Sequence, residues 1–403
     1  MLVGASMNFI FISPQFPHTY WNFCDRLKKN GVNVLGIADT PYDQLPYQLR
    51  ECLTEYYKVD NMEDYGQMYK AVAFFAFKYG KIDWIESNNE YWLEQDARLR
   101  TDFNVKTGVS FSGVKKYKSK YSMKKYYEKA GVPTARCHKV TKLSDAKKFL
   151  DDIGGYPVIV KPDNGVGASG TYKLSNDADL EWFYSNLPNA SYVMEEFIDG
   201  DIVSYDVITD SKAEPLFESM TEWPPSIADI VNNELDLAYY TAAGVDEELK
   251  AKGRATVKAF GVKSRFVHLE FFRLRKDKKG LGKKGTIVGL EVNMRPAGGY
   301  TPDMMNYAHS LDVYSIWAEM VAHDARYFPE PESHHFAVYA SRRDKYSYKH
   351  THEEIMAKYG SSIVMSERLP SIWWGAMGNY MYTAHAATEE MAKEFIAFIQ
   401  EKV

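Results

Sequence analysis

The chain has 403 residues, 45% hydrophobic, 26% charged and 15% aromatic, with a formal net charge of -5. This is too long for one ordinary core and too apolar for a disordered chain, and the small charge excludes a global pull toward nucleic acid or an anionic membrane. Three cysteines, Cys24, Cys52 and Cys137, none in a CxxC spacing, indicate neither a disulfide framework nor a cysteine-rich zinc site and fit a reducing cytoplasm.

The amino terminus lacks a basic segment ahead of Phe9-Ile-Phe-Ile, and the longest apolar run, Ala71 to Phe77, is far too short to span a bilayer. Neither a signal peptide nor a membrane segment is expected. Asn8 to Ser13, Val32 to Ala38 and Ile82 to Ser87 read as strands. Between and after them, Trp21, Cys24 and Leu27 recur at helical spacing before Gly31, and 64–79 and 90–102 continue the helical pattern. Such β-α-β alternation implies an open parallel α/β sheet over residues 1–114. A dinucleotide fold would need glycines where the first strand meets its helix, but that junction reads Ser13-Pro-Gln-Phe-Pro-His, so an NAD-binding role is not expected.

From Lys115 the texture changes to a basic helix over Lys120 to Ala130, a Gly-Val-Pro break at 131–133, and strands separated by glycine-rich turns. Val158-Ile-Val-Lys161-Pro runs into Asp163-Asn-Gly165-Val-Gly167-Ala-Ser169-Gly170, an apolar strand ending in a lysine and a glycine loop. Backbone N–H groups of such a loop can cover phosphates, and Lys161 at its base supplies a point charge. It is not a P-loop, because the lysine precedes the glycines. Further on, Tyr192-Val-Met-Glu195-Glu196-Phe197-Ile-Asp-Gly-Asp201 is an apolar strand running into acidic residues and a turn.

In Leu290-Glu-Val-Asn-Met-Arg, period two sets Glu291, Asn293 and Arg295 on one face. Two oxygen ligands so spaced can hold magnesium beside a polyphosphate, and the arginine can meet a phosphoryl group or carboxylate in bidentate fashion. Val267-His-Leu-Glu-Phe-Phe alternates likewise, and Lys276 to Gly285 reads as a hairpin loop, which would bring Glu270 beside Glu291. Two carboxylates so close call for a divalent cation between them. His268 reads as a packed strand histidine, since magnesium prefers oxygen. Residues 328–403 carry a strand (Phe336 to Ala340), two helices (Glu353 to Tyr359 and Glu389 to Glu401) and turn material between them.

This ordered set, spanning residues 115 to about 325, resembles the ATP-grasp superfamily and within it the carboxylate–amine ligases, such as L-amino-acid ligases and carbamoyl-phosphate-synthase-like proteins. The resemblance implies an ATP-grasp fold behind an amino-terminal α/β domain, with a small lid-bearing part at 115–192, a metal and nucleotide part at 193–327, and a carboxy-terminal α+β segment. It implies that Lys120 and Lys161 contact ATP, with Lys118 a neighbouring rival to the first, under the loop Gly165, Gly167, Ser169 and Gly170. It places Glu195, Glu196 and Phe197 on the hinge strand that reads adenine, and Asp201, in place of a more usual glutamate, at the ribose. Glu270, Glu291 and Asn293 become magnesium ligands, with manganese an alternative, and Arg295 steadies the transferred phosphoryl and the acyl phosphate. Ser119 stands where the family frequently has aspartate.

The expected activity is ATP- and magnesium-dependent joining of a small-molecule carboxylate to an amine through an acyl phosphate, releasing ADP and phosphate. The alternatives are a biotin carboxylase or phosphoribosylglycinamide ligase type and, from another class, a non-catalytic ATP-binding module. A homodimer through the first domain is a family-based expectation. His350-Thr-His352-Glu-Glu is explained by a threonine N-cap with acidic first-turn residues.

Overall fold

The computed structural model describes residues 6–165, 170–224, 235–330 and 333–403. The first unit contains β1 (Asn8–Ile12), β2 (Asn33–Ala38), β3 (Glu55–Lys58) and β4 (Trp84–Glu86), parallel in the order β3-β2-β1-β4. Phe9 and Phe11 project from β1 toward Trp84 and Trp317, while Ile10 and Ile12 project the other way toward Met68 and Phe75. Both faces are covered, which is why this strand is apolar at consecutive positions. The helix Tyr65–Tyr79 begins where the Asp64 carboxylate accepts from the N–H groups of Gly66 and Gln67. The three expected strands are present, and a fourth, β3, was not foreseen because its Glu-Tyr-Tyr-Lys edge segment carries no apolar run.

A small antiparallel sheet follows, made of β5 (Cys137–Lys139), β6 (Val158–Pro162), β7 (Tyr172–Leu174) and β8 (Tyr192–Glu196) in the order β5-β8-β6-β7. The expected subdivision at 192 falls at the start of β8, which stays in this sheet because Met194 packs with Val158, Val160 and Leu150.

Among the described residues, a large antiparallel sheet contains β9 (Gly200–Thr209), β10 (Pro215–Trp223), β11 (Ala238–Thr241), β12 (Arg265–Leu274), β13 (Ile287–Asn293), β14 (Phe336–Arg342), β15 (Ile363–Arg368) and β16 (Tyr380–Ala386). Its order is β13-β12-β9-β10-β11-β14-β16-β15. The carboxy-terminal strands therefore extend the sheet that carries β9 to β13, and the expected turn material between the last two helices includes β15 and β16. β16 hides from a period-two pattern because both its faces are buried, Met381 with Met304 and Tyr382 and Ala384 with Phe395. The N-cap reading at Thr351 holds, with a reciprocal bond between its backbone and Glu354.

One close approach positions the site. A Cβ at Gly289 on β13 would lie 2.5 Å from Tyr127 Cε1, so glycine lets the helix Lys120–Lys129 settle directly on this strand. Lys120 is thereby brought to the strand that carries Glu291. No helix among the described residues is long and apolar enough to cross a membrane.

Candidate active site

The register of β12 with β13 sets Glu270 opposite Glu291 and His268 opposite Asn293, as the hairpin pattern implied. β9 continues the rows with Ser204 beside Glu270 and Asp206 beside His268. Residues directly opposite share a face, so these side chains form one polar patch on an otherwise packed sheet. Asn293 Nδ2 donates to Glu270 Oε1 at 3.3 Å and His268 Nε2 donates to the same oxygen at 3.1 Å. The other Glu270 oxygen has no hydrogen-bond partner among the described residues and is free to take a cation. Two carboxylates and an amide carry the oxygen donors that suit magnesium, although the amide here turns its nitrogen to Glu270. The described residues contain no cluster of three or more His, Cys, Asp or Glu placed to hold a metal, so a cation here would complete its shell from the substrate or solvent.

His268 is a cation rather than a ligand. Burial alone would lower its pKa, but Asp206, 2.7 Å away, and Glu270 overcome it and raise it to about 9. Since the folded value lies above the unfolded one, this histidine's stabilisation is complete below about pH 6.5 and is lost as the pH climbs through 9. Urea midpoints of the wild type should therefore decline relative to His268→Asn between pH 6.5 and 9, and parallel curves would disprove the charged histidine.

The lysines enter from two other elements. Ser119 caps the helix Lys120–Lys129 by accepting from Ser122 N–H, and its hydroxyl donates to Asp163 at 2.8 Å. Asp163 also accepts from the Tyr121 N–H, so an acid that the sequence lacks at 119 is supplied from the end of β6. Lys120 Nζ then lies 3.0 Å from Glu291 Oε1 and 3.4 Å from the carbonyl of Gly165. Lys118 turns away, donating to the Glu90 carbonyl at 3.1 Å. Lys161 reaches Glu195 at 2.7 Å from β6, and Lys124, one turn after Lys120, meets the other Glu195 oxygen. Burial would raise the Glu195 pKa, but Lys124 and Lys161 hold it at about 2.

The glutamate expected to read adenine through its backbone thus turns its side chain toward the lysines. Its neighbour Glu196 faces the other way and takes a bidentate grip from Arg136. The N–H groups of Glu196 and Phe197 are bonded to the carbonyls of Arg136 and Pro157, which leaves carbonyls, not these donors, for a base edge. Lys173 lies 4.3 Å above the Phe197 ring. Asp201 accepts from Arg275 Nε at 2.8 Å through one oxygen, with the side chain 46% exposed. Gly170 has φ +72 and lies against Tyr192 and Pro162. Gly167 and Ser169 lie outside the described residues.

Arg295 departs from the strand arithmetic. β13 ends at Asn293, and the Arg295 N–H turns back to the Asn293 carbonyl at 2.8 Å. Its guanidinium donates to the Pro296 carbonyl at 2.8 Å and has no ion pair among the described residues. It nonetheless lies close enough to Glu270 and Glu90 to favour their charged forms, though the outcomes differ: His268, with Arg295 behind it, holds the Glu270 pKa down against burial, whereas burial outweighs Lys118 and Arg295 and keeps the Glu90 pKa raised. Lys124, Asp163 and Arg136 were missed in the sequence. Lys124 was accessible, since it lies one helical turn from Lys120 on the same face.

Comparison with known proteins bears on the fold. A family model described as an ATP-grasp domain matches residues 117–223. An L-arginine-specific L-amino acid ligase of Bacillus subtilis is 24% identical over 302 residues, 73% of this chain and 69% of the relative. Among solved structures, an L-amino acid ligase from Bacillus licheniformis superposes with a TM-score of 0.71 at 16% identity, covering 97% of this chain and 96% of that one. The biotin carboxylase domain of 2-oxoglutarate carboxylase from Hydrogenobacter thermophilus, solved with MgADP, ADP and bicarbonate, gives a TM-score of 0.66 at 16% identity, covering 96% and 87%.

Proposed function

Because the chain belongs to the ATP-grasp superfamily of ATP-dependent ligases, we propose that it joins a carboxylate to an amine, both amino-acid-like, through an acyl phosphate, with release of ADP and phosphate. The observation that carries this is the register of Glu270 with Glu291, which aligns two carboxylates and Asn293 beside Lys120.

Lys120 and Lys161 exchange their glutamate partners for the phosphates of ATP. Glu270, Glu291 and Asn293 would hold magnesium, which when bound neutralises charge on the polyphosphate. The substrate carboxylate oxygen attacks the γ-phosphorus, the bond to the β-γ bridging oxygen breaks, and ADP leaves. The amine nitrogen then attacks the acyl carbon, loses a proton, and expels phosphate from the tetrahedral intermediate. Arg295, without an ion-pair partner among the described residues and next to the metal-ligand set, offsets negative charge in both steps.

A phosphate-release screen over pairs of amino acids, small carboxylates and bicarbonate tests this. The expected result is magnesium-dependent ADP and phosphate with at least one carboxylate–amine pair. AMP and pyrophosphate as products would sink the mechanism, and bicarbonate-dependent ADP release without an amine would favour a carboxylase.

A further inference from the structure

The segment carrying Arg295 lies outside the sheet's hydrogen-bond ladder, whose last rung here pairs Asn293 with His268. The backbone of Met294 therefore has no strand partner, and side chains take that place. Its N–H donates to Glu90 Oε2 at 3.1 Å. Its carbonyl accepts from Arg265 Nε at 2.7 Å, and Arg265 is itself gripped by Glu86. Glu86, the last residue of β4, and Glu90 flank a short segment of the first unit, so Glu90 holds the peptide unit ahead of Met294 directly and Glu86 braces the one after it through Arg265 of β12. Glu90 is 4% exposed and Met294 1%, which excludes water as an easy substitute for the lost bond. Lys118, just ahead of Lys120, holds Glu90 in turn, with Nζ 3.1 Å from its carbonyl and 3.7 Å from Oε1.

We propose that Glu90 is a positioning residue that fixes the turn between Asn293 and Arg295, acting through the Met294 N–H rather than on a substrate. The proposal rests on the role given above to Arg295. A backbone held at one point on each side of Met294 leaves Arg295 little freedom to swing, and misplacement of a charge-stabilising group by about 1 Å costs on the order of a hundredfold in rate.

Two variants and two measurements decide it. Glu90→Ala removes the acceptor, whereas Glu90→Gln keeps an oxygen for the Met294 N–H. Hydrogen exchange on the intact, ligand-free chain should show Met294 amide exchange rising about tenfold or more in Glu90→Ala, staying near wild type in Glu90→Gln, and remaining unchanged in β1 and β9. With an active substrate pair, kcat should fall about tenfold to a hundredfold in Glu90→Ala with KM values unchanged, and recover in Glu90→Gln. Unchanged exchange in Glu90→Ala overturns the clamp. A raised KM for carboxylate or amine with kcat intact overturns the positioning role in favour of direct substrate contact. A wild type inactive on every pair would sink the ligase proposal, while the exchange comparison would still decide the clamp.

Discussion

Glu291→Ala should lower magnesium-dependent phosphate release by on the order of a thousandfold at saturating magnesium, equivalent to about 4 kcal/mol of barrier. The side chain is well placed for so large an effect. It faces Glu270 across the β12–β13 pair, lies two residues from Asn293 on the same face, and is 3.0 Å from Lys120. Its loss removes one of two carboxylates in the proposed cation site and leaves Lys120 without its counter-charge. Glu291 is part-exposed and its backbone stays in the ladder, so the folded state should tolerate the change, with a melting temperature within a few degrees of wild type. Turnover that survives at saturating magnesium would show that Glu291 is no ligand. Glu291→Gln separates the two losses, because it keeps an oxygen for the cation while losing the charge that meets Lys120.

Glu86→Ala should instead act on stability, costing about 3–5 kcal/mol. Glu86 is 2% exposed and lies between the guanidinium groups of Arg265, 2% exposed, and Arg100, 1% exposed. It also accepts from the N–H groups of Ser87 and Asn88. Removing it leaves two buried cations facing each other. Asp96, pushed up to about 7 by burial and by the nearby Glu86 charge, would ionise more readily and recover part of the loss. Burial opposes ionisation of Glu86, yet Arg265 and Arg100 hold its pKa below the ordinary carboxylate value. Its contribution is therefore present above about pH 4.5 and lost as the pH falls through the folded value. Denaturant midpoints at pH 7 and pH 4 measure both effects, and a loss under 1 kcal/mol at pH 7 would contradict the buried pair's structural role.

The two predictions differ in how far they could be read in advance. Glu270, Glu291 and Asn293 were legible because a strand's period is fixed at two and consecutive strands joined by a single loop pair side by side. Arg295 was placed on the same face by that arithmetic, but the strand stops at Asn293, and the next N–H, that of Met294, goes to Glu90, 204 residues earlier. Glu86 and Arg265 are 179 residues apart, and local periodicity says nothing about which distant face meets which. The parallel first sheet was legible from its alternation, whereas β15 and β16 were not: burial on both faces of β16 erases the contrast that marks a strand, and β15 lies half-buried at the sheet edge with no alternation to mark it.

The pairing of Lys120 with Glu291 and of Lys161 with Glu195 has a thermodynamic consequence. A site whose cations and carboxylates already satisfy each other offers little to a ligand of a single sign. A polyphosphate alone would draw the lysines and strand the glutamates, and a divalent cation alone would do the reverse. Only a ligand that brings both charges together satisfies both halves, so metal and nucleotide should each raise the other's affinity by the same factor. With the roles proposed above, mutual neutralisation would make the site a gate that favours the metal–nucleotide complex over either component.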